Sequence, residues 1–154
     1  MRRRQWTKLG ARRRKKLGKR LAAAVLRDDV PQVVALLAAG AAPDAATPDG
    51  STPLYRASVQ GLAPVVRLLL AAGAAPDAES GQGDEGTPLT GAAAWGHTDV
   101  VGVLLAYGAD PDRREDFGTG ATPLDWAVRG GHRETAELLR AATGSRRPDR
   151  SPCS

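Results

Sequence analysis

The stretch from Thr87 to Asp110 reads TPLTGAAAWGHTDVVGVLLAYGAD, and its anchors recur along the chain. Thr-Pro-Leu stands at Thr52–Leu54, Thr87–Leu89 and Thr122–Leu124, with a period of 35 each time. Gly73-Ala74 and Gly108-Ala109 each begin 19 residues after the first two of those leucines. Gly40-Ala41 keeps the register 33 residues before Gly73, which places Leu21 at the position of Leu54 in a degenerate first copy. Matching apolar pairs lie between the anchors: Val65-Val66 with Leu69-Leu70, then Val100-Val101 with Leu104-Leu105. The first copy keeps Val33 and Leu36-Leu37. Self-similarity at this period marks a repeat architecture. The expected division is a basic extension over 1–20, repeats at about 21–50, 51–85, 86–120 and 121–144, and a flexible tail over 145–154.

Each copy reads as two short helices and a finger. Thr52 is suited to accept a hydrogen bond from an early helical N–H, and Pro53 fits the first turn, where a missing donor costs nothing. Leu54 and Ala57 share one face, and Gly61 ends this helix in a tight turn. Val65, Val66, Leu69 and Leu70 recur at helical spacing, so a second helix buries that stripe. Gly73 supplies the left-handed residue that stops it. Ala74-Ala75-Pro76-Asp77 then leaves as an extended arm. One unit cannot bury its apolar face alone, whereas a stack of four can.

These residues resemble the ankyrin repeat family. The third copy carries the resemblance most fully: Thr87-Pro88-Leu89, Ala92-Ala93, Gly96-His97, Val100-Val101, Leu104-Leu105, Gly108-Ala109-Asp110. The sequence departs from the family where its usual histidine after Thr-Pro-Leu is replaced by Tyr55, Thr90 and Asp125. The asparagine that usually follows the Gly-Ala-Asp turn is absent as well. The first and last copies are atypical, as capping repeats must be to present a solvated face; Arg27, Asp28, Asp29, Arg133, Glu134, Glu137 and Arg140 supply it. The resemblance implies an all-α solenoid of helix-turn-helix units joined by β-hairpin-like fingers. It further implies a non-catalytic protein–protein interaction module, an adaptor or scaffold whose partner meets the concave face. By register, the helix positions on that face are Val59 and Gln60, Ala94 and Trp95, and Arg129 and Gly130.

Catalytic chemistry finds no support in the residues. The two histidines, His97 and His132, both hold the Gly-His position of a repeat and read as structural. A single cysteine, Cys153, leaves no zinc-type ligand spacing and no disulfide. Lysine is absent after residue 20, which excludes a Gly-x-x-x-x-Gly-Lys phosphate loop. The glycines of Gly81–Gly86 follow a helix and an arm rather than the strand a dinucleotide fingerprint needs. No enzyme, cofactor or metal is expected.

The candidate surface is therefore one for protein recognition. Trp95 stands among small residues, where it reads either as an interface anchor or as packing against the neighbouring finger. Trp126, in register with Arg56 and Gly91, reads as core. The second and third fingers are longer than the first, and insertions in repeats fall on loops of one face, often the binding face. Glu85 lies in the acidic, glycine-rich finger Ala78–Gly86; Arg113, Arg114 and Phe117 lie in the mixed finger Arg113–Ala121.

Charge is divided unevenly. Of the 22 Lys and Arg, 11 lie in residues 1–20 with no acid among them, leaving 11 bases against 17 acids, a balance of −6, in the remainder. Arg2, Arg3, Arg4, Arg12, Arg13, Arg14, Lys15 and Lys16 offer a surface for nucleic acid or anionic lipid. The alternatives to the adaptor are accordingly a nucleic-acid-associated protein docking by this segment and a small protein inhibitor. Trp6, Leu9, Leu17, Leu21 and Ala24 fall on one side of a helical wheel, so a helix leading into the first repeat is expected, weakened at Gly10 and Gly18. No apolar run of the ~20 residues required for a membrane span occurs, and no secretory h-region follows the arginines. The expected compartment is cytoplasmic. The absence of Asn and Ile points to a GC-rich, bacterial genome.

Overall fold

A computed structural model describes the backbone of residues 2–83 and 85–145, and the side chains of these except residues 2–9, 83 and 117. The helices follow in order as α1 (Arg2–Leu26), α2 (Val30–Ala38), α3 (Pro53–Val59), α4 (Ala63–Ala71), α5 (Pro88–Ala94), α6 (Thr98–Ala106), α7 (Glu115–Gly118), α8 (Pro123–Arg129) and α9 (Arg133–Gly144). They stack in two layers. The end of α1 with α3, α5 and α8 forms an inner layer, and α2, α4, α6 and α9 form an outer one. The all-α solenoid expected from the repeat is the fold observed, and α7 is a single turn inside the third finger.

The inner helices start as the sequence dictates. The hydroxyls of Thr52, Thr87 and Thr122 accept from the backbone N–H groups of Tyr55, Thr90 and Asp125 at 3.1, 3.2 and 3.2 Å. In the third and fourth copies the bond is reciprocal. Thr90 Oγ1 and Asp125 Oδ2 accept from the N–H groups of Thr87 and Thr122, each at 2.9 Å, closing capping boxes. The residues that replace the family's histidine thus hold the helix start locally. The Thr122 bonds also keep the Asp125 carboxyl below the usual carboxylate range.

The stack is held by apolar layers and by bonds that cross from copy to copy. Leu21, Leu54 and Leu89 occupy equivalent buried positions, as do Leu36, Leu69 and Leu104. The ring Nε2 of His97 donates to the carbonyl of Val59 at 2.9 Å, and that of His132 donates to Ala94 at 3.0 Å. Those carbonyls lie at the C-terminal ends of α3 and α5, where no intrahelical partner exists. Further out, Asp44 and Asp77 accept from the N–H groups of Ala75 and Asp110, at 3.2 and 2.9 Å, one copy along. Each finger closes with a backbone bond: Thr47 to Ser51, Ser80 to Gly86, and Glu115 to Ala121.

The first copy differs in two ways. Its inner helix is the end of α1, which runs 25 residues and crosses position 20 without a break. At Gly18 this helix meets the first finger so closely that a Cβ would lie 2.6 Å from that of Ala45. The sequence reads Gly18 as a weak point; here it is a point of contact. The turn after the helix places Asp28 at φ 53°, in the left-handed position that Gly61 and Gly96 fill in later copies. Asp29 then caps α2 by accepting from Gln32 N at 3.1 Å.

Two stability effects follow. Leu69→Ala or Leu104→Ala is expected to cost about 2–5 kcal/mol in chemical denaturation, because each removes a fully buried anchor and leaves a cavity. Asp28→Gly is expected to raise stability by about 0.5–1 kcal/mol, since glycine relieves the left-handed backbone at an exposed site. A loss of stability on Asp28→Gly would mean that the aspartate side chain stabilises this turn.

Candidate functional site

The face formed by the inner helices and fingers takes its shape from one register position. Arg56, Gly91 and Trp126 are equivalent residues of α3, α5 and α8, and the middle one has no side chain. Tyr55 leans into the space from the preceding copy, so a Cβ on Gly91 would lie 3.0 Å from its ring and 2.9 Å from Val59 Cγ2. The remaining gap is an open pocket of about 340 Å³, lined by Tyr55, Glu85, Thr90, Gly91, Ala94, Trp95, Glu115, Asp116 and Trp126. Three aromatic rings and three carboxylates converge there, and no base lines it.

Each wall is positioned by a separate contact. The indole N–H of Trp126 donates to Glu115 Oε1 at 3.0 Å, which ties α8 to the third finger. Asp116, beside it, has φ 51° in the left-handed region. On the opposite side the buried hydroxyls of Ser51 and Ser80 donate to Glu85 Oε2 at 2.6 and 2.7 Å. Ser80 Oγ in turn accepts from Thr52 N at 2.9 Å. Arg56 donates to Asp49 and Ser51 at 2.9 and 2.8 Å and lies 3.6 Å from Glu85. Burial raises the Tyr55 phenol above its ordinary value; the nearby charges of Glu85 and Glu115 raise it further, against Arg56.

A family model described as "Ankyrin repeats (3 copies)" matches residues 21–115 and, a second time, 84–147. The chain belongs to the ankyrin-repeat family. No curated protein matches it in a sequence comparison. Ankyrin repeats generally mediate protein–protein interaction, and ankyrin-repeat proteins are typically non-catalytic. Among the described residues, no group of His, Cys, Asp and Glu could hold a metal ion, and no helix is long and apolar enough to cross a membrane.

The ankyrin register places the expected surface residues unequally around the pocket. Trp95 caps α5 at the rim with 64% of its surface exposed, and half-buried Ala94 lines the wall beneath it. Val59 is half-buried with its carbonyl taken by His97, and Gln60 and Gly130 are exposed; none of these three lines the pocket. Arg129 is exposed, with its guanidinium over the Trp126 ring, 5.4 Å from the centroid. Glu85 is half-buried and bonded inward rather than standing as a free charge of an acidic finger. Arg113 lies 3.8 Å from Glu79, a carboxylate only 8% exposed that makes no hydrogen bond. Arg114 donates to the carbonyl of Gly120 at 3.0 Å. The Phe117 side chain lies outside the described residues, as do Asp84 and the side chains of Arg2, Arg3 and Arg4. Arg12, Arg13, Arg14, Lys15 and Lys16 are exposed on α1 and enter no ion pair among the described residues.

Sequence reasoning passes over Tyr55 as a site residue and assigns Trp126 to the core. Trp126 does pack on the core with part of its ring, but it also forms a pocket wall. The signal was present in the copies themselves: a glycine at 91 between two long side chains in register leaves a gap that its neighbours must border.

The raised phenol carries a pH dependence. Below the ordinary phenol range Tyr55 is neutral in both folded and unfolded chains. Above it the unfolded chain ionises first, so stability falls as pH rises through that range. Ultraviolet titration, taken as the difference between the native chain and Tyr55→Phe, is expected to place Tyr55 above 10.0. Glu85→Gln should move it back towards that value. A Tyr55 step at or below the ordinary value would contradict the arrangement of burial and acids described here.

Proposed function

We propose that this ankyrin-repeat protein is a cytoplasmic, non-catalytic adaptor that binds a protein partner through its inner-helix face and finger loops. The observation that carries the reading is Trp95. A tryptophan left mostly exposed beside a pocket, at the end of a helix that lines it with Thr90, Gly91 and Ala94, has the character of an interface anchor. The scaffold suits that role because it is preorganised. Cross-copy bonds fix the helices and fingers before any partner arrives, so little ordering entropy opposes binding.

Family membership supports an interaction module, and the exposed indole supports this face as the one used. Trp95→Ala is expected to weaken the principal partner, captured from the host cell on the native chain, by more than ~1–2 kcal/mol. Its thermal unfolding should scarcely change, because the ring caps a helix end without being buried. Calorimetry of the purified pair and circular dichroism of the variant provide the two readouts. Unchanged affinity in a folded Trp95→Ala chain would remove this face from the interaction.

A further inference from the structure

We propose that the pocket over Gly91 receives an arginine side chain from a basic segment of the protein partner. The proposal rests on the adaptor reading and supplies the chemistry of the occupant. The cavity exists beside Gly91 because the middle copy has glycine where the copies on either side have arginine and tryptophan, and Tyr55 fills only part of the space that leaves. About 340 Å³ of open space remains there. That volume accommodates a guanidinium with its methylene stem.

The charges around the gap select a cation. Glu85 has two hydroxyl donors and Arg56 to answer it. Glu115 accepts the neutral indole N–H of Trp126, and among the described residues neither Glu115 nor Asp116 has an ion pair. Two carboxylates therefore face the pocket with their charge unanswered. Residues 21–144 carry 8 bases against 16 acids, a balance that favours the approach of a basic segment.

The rings select arginine over lysine. A guanidinium stacks flat on an aromatic face while its in-plane N–H groups bond a carboxylate in bidentate fashion, which an ammonium cannot do. The Trp126 ring already has one guanidinium over it, that of Arg129, 5.4 Å from its centroid. Trp95, exposed at the rim, stands where a second ring would cover the stem of an incoming side chain.

The test is a titration of the full-length ¹⁵N-labelled chain with a blocked heptapeptide holding one arginine among glycine and serine. The lysine and citrulline versions of the same peptide serve as comparisons. The arginine peptide is expected to shift the indole signals of Trp95 and Trp126. Lysine should bind about tenfold more weakly or worse, and citrulline should leave the signals in place. The double variant Glu115→Gln with Asp116→Asn keeps shape and hydrogen-bonding capacity while removing both charges. It should reduce arginine binding about tenfold or more, with circular dichroism unchanged. Equal responses to arginine and citrulline, equal or stronger binding of lysine, or full binding by the double variant would overturn the proposal. So would concentration-dependent self-association of the full chain that ends when the exposed Arg12, Arg13 and Arg14 are replaced by glutamine, because the occupant would then be a second copy. Partner binding lost in Trp95→Ala but retained in the double variant would leave the adaptor reading standing and dismiss the arginine pocket alone.

Discussion

An inner helix of seven residues makes about two turns and cannot hold itself together in water. Everything else in the structure answers that constraint. The threonine caps satisfy its first N–H groups, and a histidine from the following copy satisfies a carbonyl at its far end. His97 reaches Val59 and His132 reaches Ala94 at nearly the same distance, so the third and fourth copies each complete the one before. Burial of leucine and valine in register supplies the driving force. The histidines and the aspartates in the arms fix the direction in which that burial propagates. A face assembled in this way has its side chains set by the stack and not by the loops that happen to be nearby.

Stacking identical backbones also means that a single side chain can cut a pocket. Arg56, Gly91 and Trp126 share one register position, and the glycine leaves beside it the space that Tyr55 and Trp95 border. The surrounding polar groups differ in how far the fold occupies them. Glu85 is consumed by buried Ser51 and Ser80 and knits the first finger to the second. Glu115 is used on one side only, by the indole of Trp126, and Asp116 sits in a left-handed turn beside it. Chemistry on this face is thus graded from structural on the Glu85 side to available on the Glu115 side.

The repeat and its helix boundaries were legible because each depends on a local rule. Thr-Pro starts a helix, Gly73 and Gly108 take positive φ at helix ends, and paired Val and Leu recur at helical spacing. The departures at Thr90 and Asp125 were legible as departures, yet their reason was not. It lies in reciprocal bonds to Thr87 and Thr122 that emerge only when the turn closes. Asp28 in a glycine position was read as a solvated cap residue, and its left-handed backbone became visible only in the fold. The site was half legible. Trp95 stands out in any alignment of the copies. Glu85 looked free because its partners, Ser51 and Ser80, lie 34 and 5 residues away and meet it only when two fingers stack. Trp126 looked buried because register says which layer a residue joins, not how much of a large ring extends beyond it.

The central claim is that the pocket is present before any partner binds, and the free protein in solution tests it most directly. In an NMR nuclear Overhauser and amide-exchange experiment on the full chain, the Tyr55 ring should show cross-peaks to the Gly91 α-protons. The Trp126 indole proton, held by Glu115, should exchange markedly more slowly than that of exposed Trp95. Rapid exchange of both indoles, with no contact between Tyr55 and Gly91, would show a face that forms only on binding and would contradict the preorganised stack.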